Sequence, residues 1–193
     1  MDIRPELDHS TCIFLALLFL TVPVPWIFSA GLAAMIHELA HIGAVYAVGG
    51  KIQRVRVRCL GTTIDASMMT PVRELLCVLA GPTASLILVC SAGLVPRVAL
   101  CGMVQGLFNL IPVLPLDGGR ARDCLLELFF PPEIGRITAA AIEILVFILI
   151  IAGSLWLFFV KKLGIGILFA MLFLLCRIMA GKIPCKERGF AVQ

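Results

Sequence analysis

The sequence predicts an all-α membrane protein of about six transmembrane helices, with a short membrane-associated β segment after the second helix. Of the 193 residues, 61% are hydrophobic and only 15% are charged, whereas a soluble domain carries about 25% charged residues. The apolar stretches are each close to the roughly 20 residues that a helix needs to cross a bilayer. We place the spans approximately at residues 10–24, 26–49, 75–96, 98–116, 137–160 and 163–180.

Prolines and flanking charges set the limits of these spans. Pro23 and Pro25 divide the first two, because proline breaks helices and favours turns. The first segment is predicted to be a span rather than a cleaved signal peptide, since its flank is acidic and no small-residue cleavage pattern follows it. The sequence has no internal repeats, low-complexity tracts or long linkers, so we expect residues 1–193 to form a single membrane domain.

The distribution of basic residues predicts the orientation of the chain in the membrane. With six spans, one side receives 12 of the 16 Lys and Arg residues, and the positive-inside rule therefore places both termini in the cytoplasm. With an odd number of spans, the Lys and Arg residues would no longer be concentrated on one side of the membrane. Arg54, Arg56 and Arg58 lack the aromatic neighbours of a nucleic-acid-binding surface, so we expect a lipid bilayer as partner and no nucleic acid.

Two polar segments on the predicted cytoplasmic side interrupt the helices. In the first, Ile52, Val55 and Val57 alternate with polar residues, and this period of two, followed by a glycine, indicates a strand or hairpin beside the membrane. The second, residues 117–136, carries charges at helical spacing and predicts a short interfacial helix with its charged side chains in water. Those charged residues are Arg120, Asp123 and Glu127.

The second predicted span contains the sequence His37-Glu38-Leu39-Ala40-His41. On a helix, residues four apart differ by about 40° and by roughly 6 Å along the axis, so both imidazoles point to one side. Two neutral nitrogens at this spacing suit Zn²⁺. Glu38 lies about 100° around the axis, where a general base can take a proton from water near the metal.

The alternative for this motif is a pair of buried histidines that hydrogen-bond to neighbouring helices. The motif, however, places three ionisable groups within five residues of an otherwise uncharged stretch. Burying them in lipid costs several kcal/mol unless they are paired or bind something. We therefore favour a metal site, with His37 and His41 as ligands and Glu38 as the catalytic base.

A catalytic zinc site needs a third protein ligand and an open position. The remaining histidine, His9, lies outside the predicted spans, so we expect a carboxylate. Asp117 follows an uncharged run with two prolines and precedes two glycines, which let the backbone turn closely around a bound ion. Glu143 is the competing ligand, and a polar contact between helices is its other role. The eight cysteines form no CxxC pair, and we expect them to be reduced and to bind no metal.

Beyond the HExxH motif, the sequence reads Asn109-x-x-Pro112-x-x-Pro115-Leu116-Asp117-Gly118-Gly119-Arg120. The two motifs together resemble the site-2 protease family of intramembrane zinc metalloproteases. The six-span layout without an inserted PDZ domain is most similar to the bacterial sporulation branch, the stage IV protease that activates a sigma-factor precursor. The resemblance implies that Asp117 is the third zinc ligand and that Asn109 supports the substrate or the transition state. It also implies a bacterial protein with a membrane-associated protein substrate, such as a pro-sigma factor, and a membrane-embedded regulator.

Two features depart from this family. The family often has Gly-Pro-x-x-Asn on its third span, whereas this sequence reads Gly81-Pro82-Thr83-Ala84-Ser85. A serine offers one hydroxyl where the amide has two polar groups, which leaves the role of Ser85 open. The sporulation branch often carries a C-terminal CBS domain, and residues 181–193 are too few for one, so we expect none in this chain.

A second function stays open, a metal-binding membrane protein or transporter without proteolysis. Glu38 favours a hydrolase, because a binding protein can dispense with a general base. A metalloprotease with a soluble catalytic domain is disfavoured, since no downstream Glu-x-x-x-Asp ligand segment follows. The sequence thus predicts hydrolysis of a peptide bond in or near the membrane segment of a protein substrate. We expect the segment Lys51–Ser67 to present a strand edge to that substrate.

Overall fold

The computed structural model describes residues 2–3, 22–50, 52–58, 61–66, 70–159 and 190–192. Almost all of the predicted first span, 10–24, and the whole of the sixth, 163–180, lie outside the described residues. The helices of the described part are α1 (Val24–Ala47), α2 (Pro71–Ile87, continued by a 3₁₀ turn at Leu88–Ser91), α3 (Pro96–Asn109), α4 (Asp117–Phe129) and α5 (Pro132–Phe159). The strands β1 (Asp2–Ile3), β2 (Ile52–Arg58), β3 (Gly61–Ala66) and β4 (Phe190–Val192) form one sheet in the order β1-β2-β3-β4.

Four of these helices have a proline at one of their first two positions. The residues are Pro25, Pro71, Pro96 and Pro132. The first N–H groups of a helix have no partner within it, so proline, which has no N–H, is well suited to these positions. The prolines that divide the apolar stretches in the sequence therefore mark the points where helices begin.

Three of the described helices are long and apolar enough to cross a membrane: Val24–Ala47, Pro71–Ser91 and Pro132–Trp156. Their outer surfaces carry large apolar side chains, and on α5 Ile137 and Phe159 are each 71% exposed. A continuous surface of this kind fits a lipid environment rather than water. The prediction of an integral membrane protein is confirmed, and these helices overlap the predicted second, third and fifth spans.

The fourth predicted span, residues 98–116, is wrong as a continuous membrane helix. Helix α3 ends at Asn109 after 14 residues, about 21 Å of length against a hydrocarbon core of about 30 Å. Residues 110–116 are irregular and are called the 110–116 loop below. The loop contains Pro112 and Pro115, which cannot donate the hydrogen bonds that would continue the helix. The fifth predicted span also begins earlier than expected, at Pro132 rather than at residue 137.

Glycines allow α3 to pack closely against α2. A Cβ atom at Gly102 would lie 2.9 Å from the Ser85 carbonyl oxygen, and one at Gly106 would lie 3.2 Å from the Pro82 carbonyl oxygen. Both distances are shorter than ordinary van der Waals contact, so the two backbones approach only because these positions lack side chains. Small residues four apart are common where membrane helices meet. The close packing brings the end of α3, and with it Asn109, next to α1 and α2.

A β-hairpin, formed by β2 and β3, connects α1 to α2. The two strands pair antiparallel along their length. The outer edges of this hairpin also have partners, since β1 runs parallel to β2 at Arg54 and Val55, and β4 runs antiparallel to β3 from Ile64 to Ala66. The segment in which the sequence indicates a strand or hairpin thus contains two strands, and its association with the membrane surface stays a prediction.

Candidate metal centre

One face of α1 carries both histidines of the HExxH motif. The buried residues of this helix are Ala33, His37, His41 and Val45, which recur every four positions. Residues at this spacing lie on one side of a helix, so the two imidazoles point the same way. Both side chains are almost completely buried, with exposed fractions of 1% and 0%. His41 lies six residues before the helix ends at Ala47, about 9 Å along the axis.

Asp117 is the first residue of α4 and is completely buried. The 110–116 loop brings it to the histidines, and the two following glycines make the approach possible. A Cβ atom at Gly118 would overlap the backbone of Leu110, and one at Gly119 would lie 2.5 Å from the Leu114 nitrogen. The two glycines are helical and belong to the first turn of α4, so the irregular stretch ends before them. This first turn lies directly against the 110–116 loop.

Three potential ligand atoms from His37, His41 and Asp117 converge in the protein interior. Asp117 Oδ2 lies 3.0 Å from His37 Nε2 and 3.3 Å from His41 Nε2, and the two nitrogens are 3.2 Å apart. Ligand atoms at about 2.0–2.1 Å from a tetrahedral zinc ion are about 3.3 Å from one another. The triangle of donor atoms therefore has the size of one face of a zinc coordination tetrahedron.

Hydrogen bonds on the far side of each ring orient these nitrogens. His41 Nδ1 lies 2.8 Å from the Cys77 carbonyl oxygen. A carbonyl oxygen can only accept, so Nδ1 donates its proton and, in the neutral ring, the Nε2 lone pair faces the centre. His37 Nδ1 lies 2.8 Å from Ser85 Oγ, which can accept a hydrogen bond in the same way. Outer partners of this kind orient metal-binding histidines and raise their basicity.

The centre as a whole fits a bound cation. Two imidazole nitrogens and a carboxylate oxygen face one another, and such a buried cluster needs a proton or a cation between its acceptor atoms. The second carboxylate oxygen, Asp117 Oδ1, is buried without a hydrogen-bond partner in the described structure. Gly81 lets α2 pass beside the rings, since a Cβ atom there would lie 2.8 Å from His37 Nε2 and would overlap the His41 ring. Histidine and carboxylate donors at this spacing are those that zinc prefers.

Two further residues that the sequence singles out lie beside this centre. Glu38 is half-buried on α1, and its carboxylate is close enough to interact electrostatically with His41. Asn109, the last residue of α3, is buried and places Nδ2 3.3 Å from His37 Nε2. The fold therefore brings His37, His41, Asp117 and Asn109 together, with Glu38 nearby, and the roles of all five residues stay predictions.

Glu143, the competing carboxylate, is not part of the group that could hold a metal among the described residues. Its Oε1 lies 3.2 Å from Arg122 Nη2 and accepts a hydrogen bond from the Leu114 backbone at 3.4 Å. Cys124, on α4, is also unsuited as a ligand. Burial raises the pKa of its thiol to about 12, and the carboxylates of Glu74 and Asp123 act in the same direction. Cys124 also lies outside the group of side chains that could hold a metal among the described residues.

Ser85 is the site residue whose role the sequence left open. It is completely buried, and its hydroxyl lies against the ring nitrogen of His37 that faces away from the centre. Gly81 and Ser85 are four residues apart on α2, so one face of that helix supplies both the close approach and the hydroxyl. This shared spacing is the sequence signal that could have indicated a common role.

We expect Ser85→Ala to lower the affinity of the protein for zinc by about 10- to 100-fold, because outer partners of ligating histidines have effects of this size. Competition with a zinc-binding dye, on protein in detergent micelles, measures the change. Ser154→Ala is the matched control, since that hydroxyl donates to the Ile150 carbonyl at 2.7 Å on α5. Wild-type zinc affinity in folded Ser85→Ala protein would contradict the assigned role.

Comparison with known proteins identifies relatives of this chain. It is 31% identical to Rip3 of Mycobacterium tuberculosis, which is named as a zinc metalloprotease, over 122 aligned positions that cover 50% of this chain and 31% of the relative. The same values hold for Rip3 from a second strain of that species. The chain thus spans about a third of the length of the curated relatives it matches. No model of a known protein family matches the chain.

The fold is similar to that of the site-2 protease from Methanocaldococcus jannaschii. The TM-score is 0.64, and the superposition covers 93% of this chain and 91% of that chain at 20% sequence identity. At this identity the similarity establishes the fold alone. The chain therefore has a site-2 protease fold, with a buried group of side chains that fits a zinc ion at its centre.

Proposed function

We propose that the chain is an intramembrane zinc metalloprotease of the site-2 protease family. The observation that carries this proposal is the convergence of His37, His41 and Asp117 inside a membrane protein, beside the glutamate of an HExxH motif. The fold and the similarity to Rip3 support it independently. The reaction is the hydrolysis of a peptide bond in or near the membrane segment of a protein substrate.

In this proposal His37, His41 and Asp117 hold Zn²⁺. When bound, the ion supplies Lewis acidity that makes water reactive near neutral pH and polarises a peptide carbonyl. Glu38 takes a proton from the attacking water and returns it to the leaving amine. Asn109, whose amide points at the same centre, donates a hydrogen bond that stabilises negative charge on the substrate oxygen.

The substrate must present an extended segment, because a helix keeps its carbonyl groups within its own hydrogen bonds. We propose that the hairpin of β2 and β3 pairs with this segment by strand addition. At Arg54 and Val55 the β2 edge is already paired with β1, and part of the β3 edge is paired with β4. A substrate strand would therefore use edge positions that neither β1 nor β4 covers, such as residues 56–58 of β2 or 61–63 of β3, or displace the short strand β1.

We expect replacement of Val55 and Val57 by proline to slow cleavage several-fold and to leave the zinc content at the wild-type level. Proline removes two N–H groups from β2, while the metal site lies on other elements. The rate of substrate cleavage and the zinc content of the same preparation measure the two effects. Val72→Pro, in the exposed first turn of α2 where proline is tolerated, serves as the control. Unaltered cleavage in the strand variant would exclude the hairpin as the docking edge.

We also propose that residues 1–193 form one domain that crosses the membrane six times, with both termini in the cytoplasm. Residues 2–3 and 190–192 lie in the same sheet as the hairpin. Segments of one sheet lie on the same side of the membrane, so this arrangement supports an even number of crossings between the N-terminus and the hairpin. It likewise supports an even number between the hairpin and residues 190–192. The 12 of 16 basic residues that six spans assign to one side support a cytoplasmic location for that side.

The branch and the substrate are further parts of the proposal. The arrangement of motifs is most similar to the bacterial sporulation branch, so the substrate is a pro-sigma factor or another regulatory protein associated with the membrane. A membrane-embedded partner would regulate it. The similarity to a mycobacterial protein supports a bacterial membrane as the location.

Co-expression with candidate single-span or amphipathic pro-proteins tests the proposed activity. We expect the wild-type chain to cleave a member of this set and Glu38→Gln to leave it intact. Cleavage that persists in Glu38→Gln would refute the mechanism. Zinc bound by the wild-type chain without cleavage of any candidate would favour a metal-binding membrane protein or transporter instead.

A further inference from the structure

Asp117 comes to the metal centre on a segment with no regular secondary structure. Helix α3 ends at Asn109, and α4 begins at Asp117 itself, so the 110–116 loop determines where the carboxylate lies. Only two backbone hydrogen bonds lie within the loop, from Val113 N–H to the Ile111 carbonyl at 2.8 Å and from Leu116 N–H to the Val113 carbonyl at 3.0 Å, so its conformation also depends on the groups around it. The groups that contact this loop therefore decide how well Asp117 meets the two histidines.

Arg122 contacts the loop from α4. It is buried, with 7% exposure, and its Nη1 donates to the Pro112 carbonyl at 2.9 Å and to the Ala139 carbonyl at 3.4 Å. Its Nε and Nη2 donate to Asp123 Oδ1. The guanidinium group thus joins the loop, α4 and α5 at one place, with a planar set of donors that lysine could not reproduce.

Glu143 contacts the same loop from α5. Its Oε1 accepts from the Leu114 backbone N–H at 3.4 Å and from Arg122 Nη2 at 3.2 Å. The polar contacts therefore form a closed path from the Pro112 carbonyl through Arg122 and Glu143 to the Leu114 nitrogen. Apolar packing surrounds this path, since the buried loop residues Val113 and Leu116 pack against side chains of α3, α5 and the loop itself. Those side chains are Phe108, Ile111, Val146, Phe147 and Ile150.

We infer that Arg122 and Glu143 are positioning residues that hold the 110–116 loop so that Asp117 can bind the metal. The inference rests on the proposed function, because it takes Asp117 as a zinc ligand. It assigns to Glu143 a role different from that of a competing ligand. It also gives α5 a part in the metal centre, although no side chain of α5 belongs to the group of donors.

Zinc affinity and the visible spectrum of the cobalt-substituted protein test this inference without any measurement of proteolysis. We expect Arg122→Met and Glu143→Leu each to lower zinc affinity by about 10- to 100-fold. The double variant should lose little more zinc affinity than the single variant with the larger loss, since both changes open the same network. At saturating cobalt, the d–d bands of the variants should shift, because these bands report ligand geometry.

Arg136→Met and Glu133→Gln are the matched controls. Both residues are exposed on the first turns of α5, and neither substitution should change the affinity or the spectrum. A residue that only stabilised the fold would lower the yield of folded protein and leave the spectrum of the folded fraction unchanged. Wild-type affinity and spectrum in folded Arg122→Met and Glu143→Leu would therefore overturn the inference.

Conservative variants decide the question where the apolar ones do not fold. Arg122→Lys keeps the charge but cannot make all the contacts of the guanidinium, and Glu143→Gln keeps the acceptor oxygen but not the charge. We expect lowered zinc affinity in Arg122→Lys and a smaller change in Glu143→Gln, and unchanged affinity in both would overturn the inference. A wild-type chain that binds no zinc would instead contradict the proposed function, so the two failures are distinguishable.

Discussion

Replacing Glu38 by glutamine is expected to lower the rate of peptide cleavage by about 10²- to 10⁴-fold, the range that a general acid–base group contributes. Glutamine has nearly the same shape but cannot accept a proton from water at neutral pH. The metal site should be unaffected, since the three converging donors belong to His37, His41 and Asp117. Cleavage of a membrane-anchored pro-protein, measured beside the zinc content of the same preparation, separates the two effects.

Glu133→Gln provides the control for this experiment. It makes the same chemical change at an exposed position in the first turn of α5, where no predicted site residue lies. Cleavage should remain at the wild-type rate in this variant. Loss of zinc together with activity in Glu38→Gln would assign Glu38 to the metal site itself, contrary to its role as a base.

Replacing Asp117 by asparagine is expected to weaken zinc binding more than the roughly 10- to 100-fold that loss of an outer partner costs. An amide oxygen is a neutral and weaker ligand than a carboxylate, and only the two imidazoles would remain as strong donors.

Zinc titration measures this effect, and thermal unfolding of the same preparation checks that the variant is folded. Glu127→Gln is the matched control, since it removes one negative charge from an exposed position on the same helix, α4. Its zinc affinity should equal that of the wild type. Wild-type zinc affinity in Asp117→Asn would exclude Asp117 as a ligand.

The sequence was sufficient to predict which side chains converge in the candidate metal centre, for reasons specific to helices and membranes. His37 and His41 lie at a spacing that puts them on one side of a helix, and the structure has both on the buried face of α1. Asp117 stood out because charged residues are scarce in apolar stretches, and the loop prolines and following glycines indicated a close turn. The structure brings it within 3.3 Å of both histidine nitrogens.

Features that depend on contacts between distant segments could not be predicted in this way. Residues 98–116 are apolar enough for a span, but hydropathy does not show that the helix stops at Asn109 and leaves the loop that places Asp117. Helical spacing suggested that Arg120, Asp123 and Glu127 of α4 face water, but Arg120 and Asp123 are half-buried and only Glu127 is exposed. The neighbouring Arg122, which that spacing did not single out, is buried against the loop and α5. Local spacing cannot tell which face of a short helix meets a neighbour, because that depends on how the whole chain packs.

The role of Ser85 also could not be predicted from its sequence motif alone. A serine where the site-2 protease family often has asparagine left the role of this residue open in the sequence. The structure places its hydroxyl 2.8 Å from His37 Nδ1. Only the packing of α2 against α1 reveals that the smaller side chain reaches the ring.

Reloading metal-free protein with zinc tests the proposed zinc-dependent protease most directly. The purified chain is stripped with a chelator and titrated with zinc, and cleavage of casein, an unfolded protein with exposed peptide bonds, is followed at each point. We expect no cleavage before zinc is added and a rise in proportion to bound metal that ends at one ion per His37–His41–Asp117 site. Cleavage by the metal-free chain, or cleavage that does not follow zinc occupancy, would contradict a zinc-dependent protease.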